Sequence, residues 1–248
     1  MMDVYWLEQT EADLPAGNDW LNATESLRLQ GMRFAKRRAD WRLGRWTAKR
    51  ALAVHLHLSD RSLTEIEVRP APSGAPEVFF ANQPADVAIS LSHRAGVAVC
   101  AIATGGTTLG CDLEAVEPRS AAFTADYFTA QEQALVARAC DADRAGLLAL
   151  LWSGKESALK ALRAGLRLDT RCVTVDLVDD GEKPAAEELA FTFPAREPNR
   201  WHRLQVRCDS GPILQGWWQH SENLVRTLVA APPPVPPILL NAPRKLWV

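Results

Sequence analysis

The sequence predicts an α+β fold built as two halves. Apolar, β-branched runs of strand length recur along the chain, two long stretches carry helical periodicity instead, and Gly105-Gly106 marks a turn with strands and helices on either side. With 248 residues, 47% of them hydrophobic, the chain can bury one large core or two smaller ones.

The elements follow in order. A strand near Val4–Leu7 precedes a helical hairpin-like region over 24–58, then a strand at Ile66–Arg69, a turn at Pro72-Ser73-Gly74-Ala75-Pro76, and strands at Val87–Ser90 and Val97–Ala103. The second half reads as a strand over 107–113, helices over 129–140 and 144–164, and strands over 172–177, 189–193, 202–208 and 213–219. The expected division is 1–106, 107–230 and a Pro-rich tail, 231–248. The tail opens Ala231-Pro232-Pro233-Pro234-Val235-Pro236-Pro237, which favours an extended polyproline conformation. Ile238, Leu239, Leu240, Leu246 and Trp247 are too apolar for an idle tail, so a strap packed back on the body is expected. Trp217 and Trp218 read as strand or core residues.

Composition narrows the class. The formal charge is −2 and the pI about 6.2, so the chain as a whole lacks the basic footprint of a nucleic-acid binder. No apolar run reaches membrane-spanning length, and Arg144 and Lys155 bound even the leucines around 147–151. Five cysteines without a Cys-x-x-Cys pair or a leader-like segment point to a reducing cytoplasm. His55-x-His57, His202 and His220 show no metal spacing.

The chemistry gathers in two segments. In the strand that ends Gly110-Cys111-Asp112-Leu113-Glu114, alternate side chains share a face, so Asp112 and Glu114 point the same way. In the helix that follows, Leu148, Leu151, Leu159, Leu162 and Leu166 make a core-facing stripe, while Glu156 and Lys160, four residues apart, share a face edged by Trp152. If the helix packs across the strand, three carboxylates converge. They are the hard oxygen donors that Mg2+ accepts when phosphates and water complete its octahedron, with Lys160 meeting the phosphate. Taken singly, an Asp-x-Glu strand or a Glu–Lys helical pair is more often a solvated surface feature than a site. Lys155 projects among the leucines, where an ammonium is costly unless it snorkels or meets an anion. A nucleotide-binding P-loop is excluded: Gly154-Lys155 would need glycine at 149 and Ser or Thr at 156, and the chain has Ala149 and Glu156.

Gly110-x-Asp112-x-Glu114 followed by Trp152-x-x-Lys155-Glu156-x-x-x-Lys160 resembles the signature of the 4′-phosphopantetheinyl transferases of the surfactin-synthetase-activating (Sfp) type. Ile89-Ser90-Leu91-Ser92-His93 resembles the Ser-His motif of that family. The Gly74-Ala75-Pro76 turn resembles its Gly-Lys-Pro turn, with Ala75 where lysine is usual. The resemblance runs from about Arg33 to Leu168, and the last eighty residues match weakly.

The resemblance implies two α+β halves in pseudo-twofold arrangement, with the active site in the cleft between them, in a monomer. It implies a reaction too. Coenzyme A binds with Mg2+ on its pyrophosphate, a serine hydroxyl of an acyl-, aryl- or peptidyl-carrier protein attacks the β-phosphorus, and adenosine 3′,5′-bisphosphate leaves. The implied catalytic residues are Asp112, Glu156 and Lys160. Asp112, Glu114 and Glu156 would hold the metal, Glu156 would accept the serine proton, and Lys160 would bind the bridging phosphates. Gly74, Pro76, Ser92, His93 and Lys155 fall in the implied cofactor-binding set, with His93 on the 3′-phosphate and Ser92 near the nucleotide.

The 3′-phosphate also needs cations. Arg33 to Arg50 holds eight Lys or Arg among eighteen residues against the single acid Asp40. On a helical projection Arg38, Arg42, Arg45 and Lys49 form one stripe beside an apolar arc of Phe34, Trp41, Ala48 and Leu52. Arginine suits a dianionic phosphate because its planar fork binds bidentately. Arg42 matches the family position best. The lysines that many relatives place upstream have no counterpart around Glu25–Gln30 other than Arg28. Residues 115–130 are the carrier-docking region the family suggests, with Phe123, Tyr127 and Phe128 readable as anchors or as packing residues. Two other readings remain open: a degenerate module that binds coenzyme A or a carrier without transfer, and a nucleic-acid binder using the arginine-rich helix.

Overall fold

The computed structural model describes residues 1–178 and 200–241. The strand expected over 189–193 and the tail residues Leu246 and Trp247 lie outside the described residues. The fold is mixed α+β with several sheets, and the chain forms two units. One comprises Asp3–Thr107 with the residues from Pro237 onward, the other Thr108–Pro236 with Met1–Met2.

The N-terminal unit holds β1 (Tyr5–Thr10), α1 (Ala23–Gln30), α2 (Ala35–His55), β2 (Ile66–Pro70), β3 (Pro76–Phe80), β4 (Gln83–Pro84), β5 (Val87–Arg94) and β6 (Val97–Thr104). β6 lies between β1 and β5, antiparallel to both, while β2, β3 and β4 make a separate meander. The twenty-one-residue α2 packs on β6 and β1 and buries Trp46, Ala48, Ala51 and Leu52 in one cluster with Leu7, Cys100 and Ile102. Phe34, expected on the apolar arc, is instead the exposed N-cap of α2, with an extended backbone (φ −92°) and 71% of its surface open. The helical projection fails there because the helix begins one residue later. β5 runs through Ser92 and His93 to Arg94, four residues beyond the expected end, because its partner β6 is long enough to pair with all of it.

The C-terminal unit holds β7 (Thr108–Ala115), α3 (Ala121–Tyr127), α4 (Ala130–Arg138), α5 (Asp141–Ala161), β8 (Val173–Leu177), β9 (His202–Cys208), β10 (Leu214–Ser221) and β11 (Leu224–Ala231). Its sheet has the order β7-β11-β10-β9-β8, with every neighbouring pair antiparallel. β11, not foreseen in the sequence, pairs with all of β7 and sets Thr227 opposite Asp112 and Val225 opposite Glu114. Helix α5 packs across β7 and β11. It stops at Ala161, so Leu166 falls in a later 3-10 turn, and its buried surface is wider than a leucine stripe, taking in Gly146–Leu151 almost all round.

Two glycines fix that packing. A Cβ on Gly110 would stand 1.8 Å from the carbonyl oxygen of Ser157, so only glycine lets the backbone of α5 lie on β7 at this depth. A Cβ on Gly154 would press to 2.9 Å from Val175 of β8. Between them, Thr227 Oγ1 meets Ser153 Oγ at 2.8 Å and Ser157 Oγ at 2.7 Å, satisfying three buried hydroxyls at once.

The segment after β11 behaves as a strap. Met2 N donates to the Pro233 carbonyl and Val235 N to the Met2 carbonyl. Ile238 N and Leu240 N donate to the carbonyls of Val4 and Trp6, and β12 (Ile238–Leu239) pairs parallel with β1. Leu240 packs on the core, whereas Leu239 is 69% exposed, so backbone pairing more than side-chain burial holds the strap. Trp218 is core, and Trp217 is a strand residue whose indole donates to the Pro234 carbonyl.

Candidate active site

The candidate site is the face that α5 presents to β7. Trp152, Glu156 and Lys160 recur every fourth residue and so share one side of the helix. At one end Trp152 Nε1 donates to Glu114 Oε1 at 3.1 Å. At the other, Lys160 Nζ donates to Asp112 Oδ1 at 2.7 Å and to the Cys111 carbonyl at 3.0 Å. Eight helical residues rise about 12 Å while two strand residues span about 7 Å, so the helix runs antiparallel over the strand and Glu156 sits between its two tethered ends. The deep seat at Gly110 brings these side chains together.

The electrostatics of this face follow from the placement of these groups. Burial pushes the Glu156 carboxyl above the usual carboxylate range, the Asp112 carboxylate pushes it further, and Glu114 adds a smaller push against the opposing pull of Lys160. For Lys160, burial disfavours the ammonium, but Asp112 together with Cys111 and Glu156 outweighs it and holds the pKa above the ordinary lysine value. Asp112 is only 4% exposed; its Oδ2 accepts no hydrogen bond, while Oδ1 carries Lys160. Among the described residues, no three His, Cys, Asp or Glu side chains are already gathered around one ion position. The donors nevertheless fit a hard cation chemically: three carboxylates on one face, with Asp112 and Glu114 both repelling the charge of Glu156.

Glu114 has a second partner that the sequence did not reveal. Arg119 Nη2 stands 3.2 Å from Glu114 Oε2 and 3.3 Å from Glu117 Oε1, and its guanidinium lies 5.1 Å from the centroid of the Phe123 ring. Phe123, Tyr127 and Trp152 pack mutually edge-on or tilted, with centroids 5.0–5.2 Å apart. Of the three suggested anchors, Phe128 is fully buried and so is a packing residue, whereas Tyr127 is 39% exposed.

Lys155 meets an anion instead of snorkelling: with no exposed surface, its Nζ lies 2.8 Å from Glu132 Oε2 and donates to the carbonyls of Thr170 and Val173. Burial pulls its pKa down, and Glu132 opposes the shift. Glu132 is the capping-box residue of α4 and also accepts from Val175 N at 2.9 Å. The anion that Lys155 meets is thus internal, and one side chain joins α4, α5 and β8.

The N-terminal unit repeats this device. Glu25, the capping-box residue of α1, lies 2.5 Å from the fully buried Lys49 of α2, whose Nζ also donates to the carbonyls of Trp20 and Leu63. The expected basic stripe is therefore graded. Arg38 is exposed. Arg42 is half-buried, with Nη2 facing the carbonyls of Pro15, Ala16 and Gly17 at 2.8, 3.3 and 3.1 Å. Arg45 is buried, donates to the Val68 carbonyl at 2.6 Å and stands 3.6 Å from Glu25, so it belongs to the interior of the unit more than to an open edge.

Ser92 and His93 lie on β5, half-buried and exposed respectively, and a Cβ on Gly44 of α2 would meet the His93 ring at 3.8 Å, so His93 stands beside the arginine helix. Gly74, at φ +88°, and Pro76 shape the turn between β2 and β3, closed by hydrogen bonds between Ala71 and Gly74 and between Ala71 and Ala75. Next to Arg45 a cavity of about 380 Å³ is walled by Arg28, Arg45 and Arg69 against Glu25 and Glu67. Arg69 had no signal in the sequence, because it is a lone cation on a short strand.

Residues 108–214 match the family model described as ACPS, the 4′-phosphopantetheinyl transferase superfamily. That stretch is similar to the domain of this superfamily. It contains all of α5 and β7, and so Asp112, Glu114, Glu156 and Lys160. Among solved structures, the chain is similar to Helicobacter pylori holo-[acyl-carrier-protein] synthase (AcpS) in complex with coenzyme A, at 15% identity over 41% of this chain and 99% of that one, with a TM-score of 0.32. No curated protein matches the chain. Among the described residues, no helix is long and apolar enough to cross a membrane.

Proposed function

We propose that this protein is an Sfp-type transferase that moves the 4′-phosphopantetheine arm of coenzyme A onto a serine of an acyl-, aryl- or peptidyl-carrier protein, with Mg2+, releasing adenosine 3′,5′-bisphosphate. The observation that carries this reading is the clustering of Asp112, Glu114, Glu156 and Lys160 on the face joining α5 to β7, inside the stretch that matches the transferase superfamily.

Phosphoryl transfer asks a protein mainly for positioning and charge neutralisation. Asp112, Glu114 and Glu156 would hold Mg2+, and a bound Mg2+ would neutralise the pyrophosphate. Lys160, already poised against Asp112, is placed to move its charge onto a phosphate oxygen. Glu156, whose carboxyl is easier to protonate than an ordinary glutamate, is the group suited to take the serine proton. Arg38, Arg42, Ser92 and His93, together with the Gly74–Pro76 turn, are proposed to bind the nucleotide and its 3′-phosphate. Arg28 and Arg69 are added to that set. Arg45 contributes to it from the interior, and Lys155 serves by fixing α5.

Incubation with coenzyme A, Mg2+ and a panel of apo carrier proteins tests the reading by intact mass. A magnesium-dependent gain of one phosphopantetheine on a carrier is the expected result; coenzyme A binding with no gain on any carrier would replace this reading by that of a binding module.

A further inference from the structure

Four residues of the C-terminal unit form a closed circuit. Glu114 Oε2 faces Arg119, whose guanidinium lies over the Phe123 ring of α3; Phe123 packs edge-on against Trp152; and Trp152 donates back to Glu114 Oε1. Arg119 also bridges to a second carboxylate, Glu117, which is 43% exposed, whereas Glu114 is 13% exposed. One guanidinium is thus shared between a carboxylate inside the candidate site and one at the surface.

We propose that Arg119 is a positioning residue: a resident counter-cation of Glu114 that a divalent cation displaces toward Glu117, loosening α3 as it leaves the Phe123 ring. This rests on the assignment of Mg2+ to Asp112, Glu114 and Glu156. The physical argument is competition. A guanidinium within 3.2 Å of a carboxylate oxygen stabilises the negative site when no metal is bound and opposes a second cation at the same oxygen. Glu117 offers Arg119 an alternative partner at almost the same distance, so the displacement leaves no charge unpaired. The first turn of α3 loses a cation–ring contact in the same movement. Metal loading and the state of α3 are therefore coupled through one side chain.

The test uses Mn2+ as a paramagnetic stand-in for Mg2+ and reads binding by electron paramagnetic resonance on the full chain, without substrate. Arg119→Met is expected to bind Mn2+ about two- to fivefold tighter than wild type, the size expected for one partly exposed ion pair. Glu117→Gln, which removes the second partner, is expected to bind it more weakly. Hydrogen–deuterium exchange across Ala121–Tyr127 is expected to rise on Mg2+ addition in wild type and to stay level in Arg119→Met. Unchanged or weaker Mn2+ binding in Arg119→Met, or an equal exchange response in both proteins, overturns the proposal. Asp112→Asn separates the two claims. If it binds Mn2+ as wild type does, the metal assignment fails and takes the Arg119 proposal with it. If it loses Mn2+ while Arg119→Met is unchanged, only the role of Arg119 is overturned.

Discussion

Lys160 of α5 and Asp112 of β7 stand 2.7 Å apart, forty-eight residues distant in sequence, and their pairing ties the helix to the strand. The ammonium is held above its ordinary pKa against the cost of burial, so it remains charged through the physiological range. Lys160→Met is therefore expected to lower transfer by about a hundredfold, the scale for loss of one preorganised charge in phosphoryl transfer, with little change in secondary structure. Steady-state kinetics alongside circular dichroism checks this; a variant with wild-type turnover would remove Lys160 from the site.

Lys155 and Glu132 form a buried pair whose remaining hydrogen-bonding groups are filled by main-chain partners and the Thr129 hydroxyl. Removing one partner leaves the other charged in the core, so Lys155→Met and Glu132→Gln should each cost about 3–5 kcal/mol in urea unfolding, and the double variant less than the sum. Coenzyme A affinity of the folded fraction should stay near wild type. Selective loss of that affinity in a stably folded Lys155→Met would restore a cofactor role for this lysine.

Gly110→Ala would set a methyl group 1.8 Å from the carbonyl oxygen of Ser157, a contact that backbone must move to relieve. The expected cost is about 3 kcal/mol or more, and transfer should fall in the protein that remains folded because Glu156 is carried away from Asp112. A thermal midpoint within a degree or two of wild type would show that α5 does not lie on β7 this closely.

Acid sensitivity has a definable contributor near the Lys155 anchor. Asp169, one residue before Thr170, is held at a pKa of about 2 against a normal 3.8 by the side chain and backbone of Arg171. A carboxylate depressed in the folded state binds fewer protons there than in the unfolded chain, so its contribution is present above pH 3.8 and is lost as pH falls toward 2. Asp169→Asn should flatten the fall in stability across that window and change little at neutral pH. Urea midpoints taken at successive acid pH values decide it; a slope equal to wild type would discount the Asp169–Arg171 pair. The effect is small because both side chains are largely exposed.

The site was legible where one element carried its own period. Asp112 and Glu114 alternate on a strand, Glu156 and Lys160 repeat on a helix, and each pairing needed no knowledge of the other. What the sequence hid were partners supplied from elsewhere in the chain. Lys155 looked like a misplaced ammonium because its counter-ion, Glu132, sits on a different helix. Lys49 and Arg45 looked like an open basic edge because Glu25 compensates them from twenty or more residues upstream. β11 was missed because Arg226 interrupts its apolar run, yet that arginine is buried, with Nη1 donating to Ser221 Oγ at 2.9 Å. Arg119 had no motif at all, and only its contacts with Glu114 and Phe123 draw attention to it.

The central claim is that Asp112, Glu114, Glu156 and Lys160 form one transfer site. The most direct measurement is the intact mass of an apo carrier protein after incubation with coenzyme A, Mg2+ and either wild-type protein or Glu156→Gln, the two matched in fold by circular dichroism. The account predicts one phosphopantetheine gained with wild type and essentially none with Glu156→Gln over the same time. Equal gain with both proteins would contradict it.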